Sequence, residues 1–340
     1  MNLYENAPRT ALIGCGRWGR NIARALARLG SLEVIVDPMA DGLADYAGEL
    51  GVRATSDMGA AFAGDIEAVA IAAPAVDHAR LIQEALFAGK HVFVEKPLAL
   101  NMADATRVAD QAAASGLTLM VGHLLQYHPA FVRLSEMVAE GAIGELRHVS
   151  SNRLNPGAIR TEENALWSMA PHDFSMILKL IGAPPKSVQA LPVHVVSPVI
   201  PDRVVVQMRF DGAVSAQADV SWLSPFKEHK LVVLGTEGAL VFEDTAADAG
   251  RKLVHYPGYL DASNGAPRFV KGPGLPVEYP SDEPLLNEMR WFLDCVRGKT
   301  QPRSDAAEAI AVLSLLEAAQ AASDQHSADW TASDRVSATV

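Results

Sequence analysis

The 340-residue chain is 49% hydrophobic, 6% aromatic and 20% charged, and its length exceeds one ordinary hydrophobic core, which predicts two domains. Forty acidic against 29 basic residues leave a formal charge of -11, which repels nucleic acid and anionic membranes and excludes both as general partners. The longest nearly unbroken apolar stretch, residues 68–76, is too short to span a bilayer. The first ten residues lack a signal peptide's basic and apolar regions, and Cys15 and Cys295 alone make no disulfide framework, so a cytoplasmic home is expected.

Residues 10–13 are apolar and unbroken, as a buried parallel strand is. Ile22, Leu26 and Leu29 then recur at helical spacing, with Arg20, Arg24 and Arg28 on another face and Gly30 placed to end the helix. Further strands are expected at 32–36, 68–72, 92–94 and 118–121, with helices over 76–87 and from an Asn101 cap through 114. This alternation predicts an α/β fold with a doubly wound parallel sheet. After about residue 123 the rhythm changes to successive strands, at 147–153, 187–196, 203–210, 213–220, 230–234 and 239–242. Asp211-Gly212 is the hairpin signal between two of them. They predict an antiparallel or mixed sheet covered by helices near 170–181, 284–297 and 303–322, with 246–284 a Gly- and Pro-rich loop.

Gly14-Cys15-Gly16-Arg17-Trp18-Gly19 follows the first strand and opens a helix, the context in which G-x-G-x-x-G cradles a pyrophosphate. Asp37 ends the second strand, where a carboxylate binds a ribose diol and repels a 2′-phosphate. Both features predict a nicotinamide dinucleotide, NAD in preference to NADP. The glycines, Arg17, Trp18 and Asp37 are the first candidate cofactor contacts.

Glu95-Lys96-Pro97 closes another buried strand, at the sheet edge where ligands collect in open α/β folds. A lysine there, partly desolvated, can exchange protons with a substrate hydroxyl. In a second cluster, Pro171 predicts a helix starting near Ser168, whose spacing puts Ser168, His172 and Met176 on one face. His172 is a candidate second proton carrier, with a histidine packed in the core as the other reading. His123 and His128 have no carboxylate or cysteine at metal-ligand spacing, so no metal is expected.

The glycine loop, Ala73-Pro74 with His78, Glu95-Lys96-Pro97 and Pro171-His172-Asp173 together resemble the Gfo/Idh/MocA oxidoreductase family over essentially the whole chain. The resemblance implies a Rossmann domain, taken as residues 1–122, and a C-terminal α+β domain with a large, open, mostly antiparallel sheet, taken as 123–340. It implies hydride transfer between a nicotinamide and a sugar or inositol carbon. It places the family's lysine on Lys96 and its histidine on His172, and adds Ala73, Pro74, His78, Glu95 and Lys96 to the cofactor contacts. Where many members have an aspartate four residues before the histidine, this chain has Ser168, so a lysine–histidine pair is expected.

The segment from Arg153 through Asn155, Arg160 and Ser168 to His172 is similar to UDP-N-acetylglucosaminuronate 3-dehydrogenases. That similarity implies oxidation of a sugar C3 hydroxyl, with Lys96, Arg153, Asn155, Arg160, Ser168 and His172 as substrate contacts. An inositol or free-sugar dehydrogenase is the alternative within the family, and an idle, NAD-sensing regulatory protein the alternative outside catalysis. Period-two patterning from Val204 to Val220 and the family's habit of pairing through this sheet lead to an expected homodimer or homotetramer.

Overall fold

The computed structural model describes residues 4, 6–261, 265 and 268–337. It divides into two compact units, residues 1–128 with 282–313 and residues 129–281 with 314–340.

The first unit is built on a six-stranded sheet of β1 (Thr10–Ile13), β2 (Leu32–Val36), β3 (Arg53–Thr55), β4 (Ala68–Ile71), β5 (His91–Val94) and β6 (Leu119–Val121). The strand order β3-β2-β1-β4-β5-β6 is parallel throughout. The chain reverses direction across the sheet between β1 and β4, which creates the crevice where such folds bind dinucleotides. Strands β1 and β4 are buried at every position, and all of their residues except Thr10 are apolar. The intervening helices are α1 (Gly19–Arg28), α2 (Ala44–Glu49), α3 (Ala75–Phe87) and α4 (Met102–Ser115). Asn101 caps α4, its side-chain oxygen accepting from the Asp104 amide at 2.9 Å.

The C-terminal part of the chain returns to this unit, which a single boundary at 122/123 does not anticipate. Helix α7 (Pro284–Val296) lays Leu286, Met289, Phe292 and Leu293 into the core with Leu26, Leu29 and Phe93. The Phe93 and Phe292 ring centroids stand 5.8 Å apart at an interplanar angle of 57°, a tilted aromatic pair. Ser304 continues the sheet edge beside β6, its carbonyl accepting from the Val121 amide at 2.8 Å. The reason is apolar burial: α7 carries a core face that only this unit's core fills.

The second unit holds α5 (Pro129–Ala139), α6 (Ala165–Ile181) and a nine-stranded sheet. Its strands are β7 (Leu146–Pro156), β8 (Ser187–Val193), β9 (Arg203–Arg209), β10 (Ser215–Ser221), β11 (Leu223–Gly235), β12 (Gly238–Glu243), β13 (Leu253–Asp261), β14 (Arg268–Lys271) and β15 (Leu275–Pro276). Their order is β14-β13-β12-β11-β7-β10-β9-β8, with β15 on β13. Every pairing is antiparallel except β7 with β10. Segment 246–284 contributes β13, β14 and β15 to the sheet, where its Gly and Pro content predicts loop. Cross-strand hydrogen bonds from β12 outweigh the local breakers there.

Asp211-Gly212 turns the β9–β10 hairpin, with Gly212 at φ 68°. Helix α6 covers one sheet face, burying Val204, Val206 and Met208 of β9 with Ala216, Ala218 and Val220 of β10. Helix α8 (Ala306–Ser337) starts in the first unit and continues in the second from Ser314. Its segment Ala306–Ser327 is the one described helix that is long and apolar enough to cross a bilayer, but Val312, Leu313, Leu315, Leu316 and Ala319 bury its apolar side in the protein.

Candidate active site

The parallel ladder of the first unit places its candidate residues along one edge. The amides of Gly14, Ala72, Glu95 and Gly122 bond to the last carbonyls of neighbouring strands, at 2.7–2.9 Å. Gly14 adopts φ 88°, and a Cβ there would lie 2.7 Å from the Ala72 carbonyl. A Cβ on Gly19 would stand 2.3 Å from the Gly14 oxygen. These two glycines are required by the protein's own packing. Gly16 differs: a Cβ there would meet nothing within 4 Å. Gly16, Arg17 and Trp18 are exposed, and α1 opens with no side-chain cap and no acidic residue in its first turn. An exposed glycine bend with open space beside it, leading into an uncapped helix, fits a dinucleotide's pyrophosphate.

Asp37 stands beside the loop. Its Oδ2 accepts from the Cys15 amide at 2.7 Å and its Oδ1 from the Met39 amide at 2.8 Å. Two backbone donors hold the carboxylate in place at the end of β2, as a ribose contact needs. Cys15 is a buried thiol, pushed up in pKa by burial, and is a packing residue of the loop.

Lys96 follows β5, and its peptide bond to Pro97 is cis. Glu95 accepts from the Trp18 indole N–H at 2.5 Å and from the Lys96 amide at 3.3 Å. Burial pushes the Glu95 carboxyl up to about 6, against the opposing pull of Trp18 and the Lys96 ammonium. Glu288 of α7 is fully buried, and burial together with the Glu95 charge drives its carboxyl well above the usual range. The pair therefore keeps a proton on Glu288.

The structure buries His78 behind this edge. Its ring nitrogens face the Pro97 carbonyl at 2.7 Å and the Ala73 carbonyl at 2.9 Å. Burial lowers its pKa, and the neutral ring donates to one carbonyl at a time. It ties the Ala73-Pro74 loop to the lysine motif rather than facing the open edge.

In the second unit, α6 starts at Ala165, earlier than Pro171 suggests, because Asn164 caps it by accepting from the Trp167 amide at 3.1 Å. Pro171 falls in the second turn, where it gives no N–H to the Trp167 carbonyl. Ser168 and His172 are half-buried and one turn apart. The next residue, Asp173, is buried and accepts from Arg153 Nε at 2.7 Å and from Ser151 Oγ at 2.5 Å. Arg153, expected at a substrate, is thus committed to an internal ion pair. Arg160 is exposed and paired with Glu163. Asn155 lies near the end of β7 and bonds His229 of β11 at 3.0 Å. Burial and the charges of Arg153 and Lys227 push His229 down to about 3.

The sequence motifs include Asp173 only beside His172 and leave out Ser151, His229 and Glu288. The period-two run Ser151, Arg153, Asn155 was the available signal for Ser151; the others depend on strand pairing and helix docking. Among the described residues, no group of three His, Cys, Asp or Glu is arranged to hold a metal.

Residues 8–123 match the model of the oxidoreductase family with an NAD-binding Rossmann fold, and residues 131–241 match the Gfo/Idh/MocA C-terminal domain. A UDP-N-acetylglucosamine 3-dehydrogenase of Acidithiobacillus ferrooxidans is 31% identical over 190 residues, 56% of this chain and 59% of that protein, so the chain spans less than two thirds of its length. A scyllo-inositol 2-dehydrogenase (NAD(+)) of Bacillus subtilis is 26% identical over 87% of this chain and 88% of its own. A structure from Magnetospirillum magnetotacticum described as an oxidoreductase matches at TM-score 0.78 and 32% identity, over 92% of this chain and 99% of its own. The glycine loop, the parallel sheet that carries it and the open sheet of the second unit thus have their counterparts in one group, and the chain belongs to the Gfo/Idh/MocA family of NAD-binding oxidoreductases.

Proposed function

We propose that the protein is an NAD-dependent sugar dehydrogenase that oxidises a ring hydroxyl, C3 of a UDP-N-acetyl-hexuronate or a related sugar. The observation that carries this reading is the shared sheet edge holding the open bend at Gly16, the tethered Asp37 and the strand-end Lys96. The names of the relatives support both a UDP-sugar and an inositol as substrate. The similarity of 153–172 to uronate dehydrogenases favours the sugar.

The loop from Gly14 to Gly19 and the start of α1 would hold the pyrophosphate, and Asp37 the adenosine ribose. A bound nicotinamide would supply the acceptor for the hydride that leaves the substrate carbon. Lys96 would take the hydroxyl proton at Nζ, and His172 is the alternative proton carrier. Glu95 sets the charge beside Lys96. Removing a general acid/base costs ~10²–10⁴-fold in rate. Lys96→Ala should lose turnover by that factor and keep NADH binding. The assay is NADH formation over a panel of UDP-sugars and inositols. Wild-type turnover in the variant overturns the assignment, and a preference for inositols moves the protein to the second reading. No turnover of any panel member by the wild type favours an NAD-sensing regulator.

The functional unit is a homodimer or homotetramer formed through the second unit's sheet. Gln207 and Arg209 are exposed and Ser215 and Gln217 half-buried on the face opposite α6. Leu191, Val193, Val195 and Val196 form an exposed apolar strip at its β8 edge. The enzyme works in the cytoplasm, consistent with two buried free thiols.

A further inference from the structure

Strand β7 carries Ser151, Arg153 and Asn155 on one face, because side chains two apart share a face. Strand β11 runs antiparallel beside it, with His229 directly opposite Arg153. The hydrogen bonds among these residues have a fixed direction, and the direction starts at Arg153. Its guanidinium has only donors. Nε donates to Asp173 Oδ2 at 2.7 Å and Nη2 to Oδ1 at 3.3 Å, which orients the plane of the group. Nη1 is left 3.4 Å from His229 Nδ1. That ring nitrogen has to be the acceptor, so a neutral His229 carries its proton on Nε2. Nε2 lies 3.0 Å from Asn155 Oδ1 and donates to it. The carboxamide is thereby locked with its oxygen turned inward. Among the described residues nothing accepts from its NH2 group.

We propose that Arg153 and His229 fix Asn155 as a donor-only contact, so that the end of β7 takes an oxygen acceptor of the substrate: a carboxylate, carbonyl or phosphoryl oxygen. The proposal rests on the sugar-dehydrogenase reading, with Asn155 at the substrate. His229 is a positioning residue that acts through Asn155, and it sets substrate choice. Arg153, Lys227 and Asp244 are the charged groups that act on the ring, and the ring stays neutral because burial and the two cations oppose its protonation. The polarity of the subsite is therefore constant across the working pH range. A uronate carboxylate or an acetamido carbonyl satisfies it.

Two measurements test the proposal. Nitrogen-15 NMR of the imidazole in the intact protein should show His229 protonated at Nε2 and bare at Nδ1 from pH 5 to 8. A ring protonated at Nδ1, or a charged ring, overturns the proposal whether or not any sugar is turned over. Kinetics with UDP-N-acetylglucosaminuronate, UDP-N-acetylglucosamine and myo-inositol read the subsite itself. Asn155→Asp, which turns a donor into an anion, should raise KM for the uronate roughly 10–100-fold, the size of a lost charge-assisted hydrogen bond, and change kcat much less. His229→Leu should raise the same KM, and His229→Gln, which can accept from Arg153 and donate to Asn155, should recover most of the loss. Unchanged KM in Asn155→Asp and His229→Leu overturns the proposal. A loss confined to the uronate assigns the acceptor to the carboxylate, and equal losses on both nucleotide sugars assign it to an oxygen they share, the acetamido carbonyl or the diphosphate. A loss confined to UDP-N-acetylglucosamine overturns the proposal, because that sugar offers no carboxylate, carbonyl or phosphoryl oxygen that the uronate lacks. If no probe is oxidised, the sugar reading falls and the ring tautomer alone decides this inference.

Discussion

Trp18, in the turn after β1, donates its indole N–H to Glu95 at 2.5 Å and so ties the glycine loop to the strand end that carries Lys96. The contact spans 77 residues of sequence. It gives a half-buried carboxyl a partner that favours its charged form.

The first prediction concerns that carboxyl. Its value in the folded protein, about 6, lies above the ordinary 4.5. The stability it contributes is therefore complete below about 4.5 and lost as the pH rises through about 6. Denaturant unfolding between pH 4 and 8 should show the wild type losing stability relative to Glu95→Gln across that window. Trp18→Phe removes a donor to the anion, so its loss should extend to higher pH. Parallel profiles in all three proteins would refute the assignment.

Cofactor choice depends on Asp37. Asp37→Asn can still accept a backbone hydrogen bond but no longer repels a 2′-phosphate. Fluorescence titration should find NADH bound more tightly than NADPH by the wild type. The ratio should narrow at least about tenfold in the variant, as ~1.4 kcal/mol of relieved repulsion implies. Equal affinities in the wild type would defeat the prediction.

Phe292 reports whether residues 282–313 belong to the first unit's core. It is fully buried against Phe93. Phe292→Ala should cost about 3–5 kcal/mol in chemical denaturation, the usual range for removing a buried phenyl ring. A cost near zero would detach α7 from that core.

Assembly is open to light scattering. A particle of at least twice the 36.2 kDa chain mass is expected at micromolar concentration. Gln207→Glu with Gln217→Glu should weaken it, because these residues face each other across the β9–β10 pair and would place like charges in the contact. A monomeric wild type would reject the assembly, and an undisturbed double variant would reject this face.

Local chemistry alone determined much of the molecule. The apolar runs of β1 and β2, the Asn101 cap, the Asp211-Gly212 turn and the glycine loop are each specified within a few residues, by backbone sterics and short-range hydrogen bonds. Lys96 and His172 were legible as candidates because each sits in a short motif, Lys96 just after β5 and His172 within α6. Tertiary structure decided the rest. Within segment 246–284, β13 formed because β12 offered a partner edge, and α7 joined the first core because its apolar face had to be buried somewhere. Arg153 passed from substrate contact to internal ion pair because α6 laid Asp173 over β7. His229 entered the site only through the register of β11 on β7, 76 residues from Arg153. Pairing register and helix docking are set by burial summed over whole faces, and no short stretch of sequence carries that sum.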